Sequence, residues 1–448
     1  MPLPNDPLRW EKSRKKTTKW PKFLMEKKSN AKSRMKIKLF RPFRMVSACT
    51  LLLAFSREAS TASDQLKFNF GLPARTGWTQ VSPTNFYSPQ SGYGFEPGAK
   101  VAGTDFAASD QPFYFSIKLP EGNYRVTATL GGQAPSTTTV KAELRRLMLE
   151  KIDVAAGKAV SRDFIVNLRT PDFPDGRHVH LKARESSSEM WDWDNKLTLE
   201  FNGVHPAVRS VGIEPVAVPT VFLAGDSTVC DQSAEPWNSW GQMLPRFFKP
   251  KIAVANYAES GETIASSLHA LRFEKIFSRM RPGDYLLVQF GHNDQKSKAT
   301  NALSLYRADL DQVITRTRAL GGIPVLVTSM ERKAGVNNNT LAGYPDAMRA
   351  AAREDNTTLI DLNAMSKVLY QALGVDLDKA FQDGTHHNNY GSYELAKCVV
   401  AGIQRDKLPL ARFIVQDFGD FDPGHPDPAA TFQMPASPVN SQSKPLGN

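Results

Sequence analysis

Four short polar blocks in the second half of the chain carry the residue types that acyl transfer needs. They are Gly225-Asp226-Ser227-Thr228, Glu259-Ser260-Gly261-Glu262-Thr263, Gly291-His292-Asn293-Asp294, and Asp383 through His386 to Asn388. A serine hydroxyl is a weak nucleophile and requires a base within hydrogen-bond reach. His386 can take the proton of Ser227. Asp383, three residues earlier, can hold the imidazole in the right tautomer and stabilise its charged form. The tetrahedral oxyanion needs preorganised donors, which the Ser227 and Gly261 backbone N–H groups and the Asn293 amide can supply. His387 adjoins His386, but the Asp-x-x-His spacing selects His386 as the base. His292 and Asp294 are read as structural residues holding the Asn293 loop, with a place for His292 near substrate left open. Each block alone is a weak signal, because Asp-Ser-Thr before a helix is commonly just an N-cap.

The surrounding pattern says how these residues meet. Residues 221–224 are uniformly apolar, as in a parallel-sheet strand buried on both faces. A helix-like spacing of Trp237, Trp240, Met243, Leu244 and Phe247 follows, which predicts that Ser227 opens a helix and profits from its dipole. Further strands are expected at 252–257, 285–290, 323–329 and 357–362. Helical patterns fall at about 263–280, 304–319, 341–354, 364–373 and 389–404. Strand and helix alternating in this way predict a parallel sheet with helices on both faces. In such sheets the carboxyl ends of the strands converge on one crevice, which would bring the four blocks together.

In this order the blocks resemble those of the SGNH (GDSL-type) hydrolases. Gly-Asp-Ser-Thr, Gly-His-Asn-Asp, and Asp-x-Thr-His followed by Asn388-x-x-Gly391 are similar to rhamnogalacturonan acetylesterases in particular. The blocks span about 220–405. The earlier stretches Lys67-Phe68-Asn69-Phe70-Gly71 and 92–97 also resemble the N-terminal domain of bacterial members. The resemblance implies a flavodoxin-like three-layer α/β/α domain with neither metal nor cofactor. It implies Ser227 as nucleophile with Asp383 and His386 as partners, and an oxyanion hole of Ser227, Gly261 and Asn293. The implied substrate is an acetylated pectic polysaccharide. One departure is the pair Glu262-Thr263 after the block-two glycine, where relatives carry a basic residue and Ser; an acidic side chain there is expected to alter substrate preference. A lipase or thioesterase is a rival reading, against which no long apolar lid-like segment lies between the blocks. A non-catalytic carbohydrate-binding protein is a second rival, against which every triad and oxyanion position is filled.

The rest of the 448-residue chain has room for a second domain. The formal net charge is +11, but it is unevenly placed. Residues 1–62 hold 16 basic and 4 acidic residues and so carry +12, leaving −1 for the remainder. The folded part is therefore not expected to bind nucleic acid. From Met35 a basic stretch, an apolar run at 45–55 and small residues at Ser60 and Ala62 read as a secretory signal. Met35 is then the expected true start, and the product is expected to be secreted or periplasmic. The run is too short for a membrane anchor, and Cys49 precedes most of it, against lipidation. Cys230 and Cys398 remain, as a disulfide or as buried thiols.

Residues 65–212 hold short apolar runs broken by Gly, Pro, Ser and Asn, which predict an all-β, jelly-roll-like sandwich of carbohydrate-binding type. His178 and His180 share the face of an expected surface strand but lack a third metal ligand. Trp191 and Trp193 could stack on sugar or simply pack. A stiff linker at 215–219 leads to the hydrolase domain at 219–412. Residues 416–448, rich in Pro, Asp and Ser, are expected to form a flexible tail.

Overall fold

A computed structural model describes residues 65–445; the expected signal and the Met35 start lie outside them. The first half forms two largely antiparallel sheets. One runs in the order Thr79–Gln80, Leu66–Asn69, Ala207–Pro215, Gly122–Leu130, Val160–Leu168, and the other in the order Tyr93–Phe95, Phe113–Lys118, Lys196–Val204, Ser136–Ala142, Arg146–Val154. Alternation decides which side chains go inward. In Gly122–Leu130 the residues Tyr124, Val126, Ala128 and Leu130 are buried and their neighbours are not. Both sheets feed one apolar core that includes Phe68, Phe115, Val126, Val166 and Phe201.

The second half is a five-stranded parallel sheet in the order Ala253–Asn256, Thr220–Gly225, Tyr285–Gln289, Ile323–Val327, Thr358–Ile360. Numbered along the chain this is 2-1-3-4-5, the flavodoxin-like order, whose switch point lies beside the first strand. Val221 and Leu223 face one core, while Phe222 and Ala224 face another. That is why the strand is apolar without alternation. Helices Leu362–Leu373 and Asn389–Arg405 cover the first face. Helices Arg272–Arg279, Ala302–Ala319 and Tyr344–Glu354 cover the second. The helix expected over 263–280 is two, Ile264–His269 and Arg272–Arg279, because Leu271 takes a left-handed conformation (φ 63°) between them.

Two expectations outside the sheet are corrected, and the state of the two cysteines, open in the sequence, is decided. Residues 416–445 are not a loose tail. Phe418, Phe421, Phe432 and Met434 pack on the apolar core. Tyr390 Oη donates to Asp427 O (2.6 Å), and Lys141 Nζ donates to Pro435 O (2.8 Å). The backbone of 439–441 is bonded to Glu235, whose N–H donates to Val439 O (2.8 Å) and whose O accepts from the Ser441 N–H (2.9 Å). Lack of periodicity hid a segment that is fixed by isolated aromatics and by the side chains of other regions. His178 and His180 lie on a loop rather than a strand: His178 pairs with Asp172 (2.7 Å) and His180 lies against the His269 ring. Cys230 and Cys398 are both free, buried thiols, and burial pushes the pKa of each above the usual range.

Candidate active site

Strand Thr220–Gly225 is buried along its whole length and delivers Gly225-Asp226-Ser227 to the carboxyl edge of the sheet. Gly225 is required there, since a Cβ would stand 2.5 Å from Val229 Cγ2 and 2.9 Å from Gln289 O. The chain then turns, with the Val229 and Cys230 N–H groups both bonded to Asp226 O (3.0 Å each). The predicted helix does not begin here. The first α-helix is the single turn Trp240–Met243, capped by Ser239, so Ser227 is neither an N-cap nor at a helix N-terminus. No macrodipole therefore acts on it. The Asp226 carboxylate holds the turn instead, accepting from Thr228 N (3.0 Å) and Thr228 Oγ1 (2.7 Å) while its other oxygen faces His292 Nδ1 (3.3 Å). Burial raises the Asp226 pKa, but His292 and the Thr228 bonds outweigh burial and hold it below the ordinary value. His292 Nε2 is committed to Met330 O (3.0 Å).

At the tip of the turn, Ser227 Oγ is 2.8 Å from His386 Nε2. His386 Nδ1 is 2.9 Å from Asp383 Oδ2. The second oxygen, Asp383 Oδ1, accepts from the backbone N–H groups of Thr385 and His386, both at 2.7 Å. Burial opposes the charge of Asp383, yet these partners prevail and hold its carboxyl well below the usual carboxylate range. Ser227 and His386 are almost inaccessible, at 2% and 1% exposure. The loop carrying Asp383 is fixed from outside. Arg332 Nε donates to Thr385 Oγ1 (3.1 Å), and Lys333 N donates to Gly384 O (3.0 Å).

Gly261 follows the second strand with φ 80°, a conformation natural to glycine. Asn293 Nδ2 donates one hydrogen to Glu262 O (2.9 Å), and Asn293 Oδ1 accepts from Lys296 Nζ (3.1 Å), which fixes the orientation of the amide. Among the described residues, neither the Ser227 nor the Gly261 N–H has a protein acceptor. Asp294 sits beneath: its carboxylate accepts from Ile264 N (3.0 Å), and burial pushes its pKa up to about 7. Glu262 is 3% exposed, pairs with Lys182 (2.7 Å) and accepts from Ser266 Oγ. Its carboxylate is thus neutralised and turned into the fold rather than presented to substrate, contrary to the expectation from sequence.

Several site residues gave no signal in the sequence. Trp237, expected on a helix, stands edge-on to His386 with ring centroids 5.8 Å apart and planes at 88°. Gln232 Nε2 donates to Ser227 O (2.7 Å). Arg332, Lys182 and Arg184 reach the site from segments with no recognisable spacing. Of the two tryptophans singled out, Trp193 is buried and donates to Glu185 (2.9 Å), so it packs rather than binds. Trp191 is half-buried beside Tyr114.

A parallel sheet of this order, with a serine at the switch point and a histidine and aspartate in hydrogen-bonded series behind it, is the framework of a carboxylic ester hydrolase. The chain belongs to the GDSL-like Lipase/Acylhydrolase family, which residues 223–392 match. It is 38% identical over 221 residues to the rhamnogalacturonan acetylesterase RhgT of Bacillus subtilis (strain 168), covering 44% of this chain and 95% of that protein. It is 24% identical over 371 residues to the uncharacterized esterase YxiM of the same organism, covering 76% of this chain and 91% of that protein. A crystal structure of the Bacillus subtilis YxiM protein matches with TM-score 0.44 at 24% identity, over 77% of this chain and 99% of that one.

Proposed function

We propose that the protein is a serine esterase that removes O-acetyl groups from a pectic polysaccharide, rhamnogalacturonan, through an acyl-enzyme. The observation that carries this reading is the unbroken series Ser227 Oγ, His386 Nε2, His386 Nδ1, Asp383 Oδ2, with contacts of 2.8 and 2.9 Å. Ser227 Oγ attacks the acetyl carbonyl carbon as His386 Nε2 takes its proton. Asp383 stabilises the imidazolium without itself being protonated. The N–H groups of Ser227 and Gly261 and the free hydrogen of the Asn293 amide receive the developing oxyanion. Collapse of the intermediate breaks the bond to the sugar oxygen, which takes the proton from His386. Water, deprotonated by the same ring, then releases acetate and restores Ser227.

The choice of substrate is supported by the similarity to RhgT, whose name states that activity. The domain division at 65–212 and 219–412 belongs to this reading, with the paired sheets as a jelly-roll-like module that either binds carbohydrate or only packs on the hydrolase domain. So does export, to the periplasm or medium, supported by the basic and apolar stretch from Met35 to Ala62.

The test is acetate release from acetylated rhamnogalacturonan, acetylated xylan and an aryl acetate by wild type and Ser227→Ala. Ser227-dependent release from the pectic substrate is the expected result. Release from xylan or the aryl ester alone would keep the mechanism and discard the substrate. Polysaccharide binding without any Ser227-dependent hydrolysis would leave a binding protein.

A further inference from the structure

The peptide group joining Ser260 to Gly261 has two ends that matter. Its N–H, on Gly261, is one of the oxyanion donors in the reading above. Its C=O, on Ser260, points the opposite way, because a trans peptide is planar with its N–H and C=O antiparallel. Whatever grips that oxygen therefore also aims the N–H. The oxygen is gripped by two cations from one distant segment: Lys182 Nζ donates to it at 2.5 Å and Arg184 Nη2 at 2.9 Å. The same two side chains hold the flanking carboxylates. Lys182 pairs with Glu262 (2.7 Å), and Arg184 pairs with Glu259.

Lys182 and Arg184 lie on the crossover between the strand Val160–Leu168 of one antiparallel sheet and the strand Lys196–Val204 of the other, outside the family match at 223–392. That crossover is itself rigid. Glu185 accepts from Lys182 N (2.8 Å) and from Trp193 Nε1 (2.9 Å), and it forms a buried pair with Arg272.

We propose that Lys182 and Arg184 are positioning residues for the oxyanion hole, so that the β-rich half of the chain completes the active site. The inference rests on Gly261 acting as an oxyanion donor. Two effects act together. A glycine at φ 80° can rotate its preceding peptide at little steric cost, and the double grip prevents that rotation. Charge-assisted bonds to the oxygen also polarise the peptide, which strengthens its N–H as a donor. Lys182 further answers the acidic Glu262, so the charge on the block-two turn is balanced from outside that turn.

The experiment uses the full chain with an aryl acetate as substrate, kcat being expressed per serine titrated by an organophosphonate. Lys182→Met should lower kcat about tenfold, less than the 10²–10³ of deleting a donor outright, with KM within about twofold of wild type. Affinity for a boronate that mimics the tetrahedral oxyanion should fall by the same factor as kcat. Lys182→Arg, which keeps a cation on the oxygen, should recover most of the loss. Arg184→Gln, which removes the second cation from that oxygen, provides a second test should Lys182→Met not fold. Wild-type kcat in Lys182→Met, or in Arg184→Gln where that variant stands in, together with an inactive Ser227→Ala, would overturn the grip and leave the esterase standing. A fully active Ser227→Ala would instead remove the reading on which the grip rests.

Discussion

Tyr370 and His387 share a hydrogen bond of 2.9 Å between the phenol oxygen and Nε2, and that bond separates the roles of two adjacent histidines. His387 is buried against Phe381, with ring centroids 4.0 Å apart, while His386 turns toward Ser227. The His387 pKa is pushed down to about 3, first by burial and then by its neighbour His386. It is a neutral anchor for the loop that carries the base.

His387→Gln should therefore keep kcat within about tenfold of wild type, whereas His386→Gln should not. The same site makes a prediction about pH. A histidine whose folded pKa lies below its unfolded value of about 6.5 contributes full stability above that pH. As pH falls the unfolded chain takes up the proton first, and stability is lost at up to about 1.4 kcal/mol per unit toward pH 3. Urea melts between pH 6.5 and 4 should show wild type losing stability faster than His387→Gln. Parallel slopes would mean that the folded protein protonates this ring as readily as the unfolded chain does.

Ser227→Ala and His386→Ala should each lower kcat by on the order of 10⁴-fold or more, and the double variant should be hardly worse than either. Non-additivity is the informative part, because the 2.8 Å contact makes the two groups one device. Independent, multiplying losses would show that the hydroxyl attacks without that ring.

Asn293→Ala leaves the Ser227–His386–Asp383 series untouched and removes one oxyanion donor, together with the bond to Glu262 O. A loss of about 10²–10³ in kcat with little change in KM is expected. Asn293→Asp should be at least as poor, since it places an acceptor where a donor is needed. A variant that raised KM alone would move Asn293 from oxyanion stabilisation to ground-state binding.

These expectations reach back unevenly to the sequence. The buried strand at 221–224 was legible because a strand covered on both faces must be apolar throughout, whereas the flavodoxin-like architecture came only with the resemblance to the SGNH hydrolases. Ser227, Gly261, Asn293, Asp383 and His386 were legible because each follows a strand or loop at the same sheet edge. The helix after Ser227 was misread. Trp240 and Met243 do lie on a helical turn, Trp240–Met243, but next to Ser227 the Asp226 carboxylate and Gln232 organise a non-helical turn instead. Lys182 and Arg184 were invisible because their partner is a carbonyl oxygen, which has no residue identity. The C-terminal segment 416–445, a strap across the fold, was missed because the backbone of Pro435 and Ser437 is held by the side chains of Lys141 and Glu235, more than 200 positions away.

Glu235 makes that last relationship testable. It is 3% exposed and lies where the strap crosses the turn after Ser227. One carboxylate oxygen pairs with Arg145 (2.7 Å) and accepts from the Ser437 N–H (2.9 Å), and the other accepts from Asn389 Nδ2 (3.0 Å). Lys141 lies 3.9 Å away, its ammonium pKa already lowered by burial in spite of Glu200 and Glu235. Glu235→Ala would leave Arg145 without a carboxylate and Lys141 with Glu200 alone, in a site that water barely reaches. Removing one partner from a buried ion pair costs about 3–5 kcal/mol, and urea denaturation should register a loss of that size. The strap also holds Trp237, whose Nε1 donates to Ser441 O (3.0 Å), and Trp237 in turn flanks His386. Slower turnover should therefore accompany the lost stability, even in the fraction that remains folded. A Glu235→Ala protein less than about 1 kcal/mol weaker than wild type would mean that the strap is held by its aromatic contacts rather than by this carboxylate.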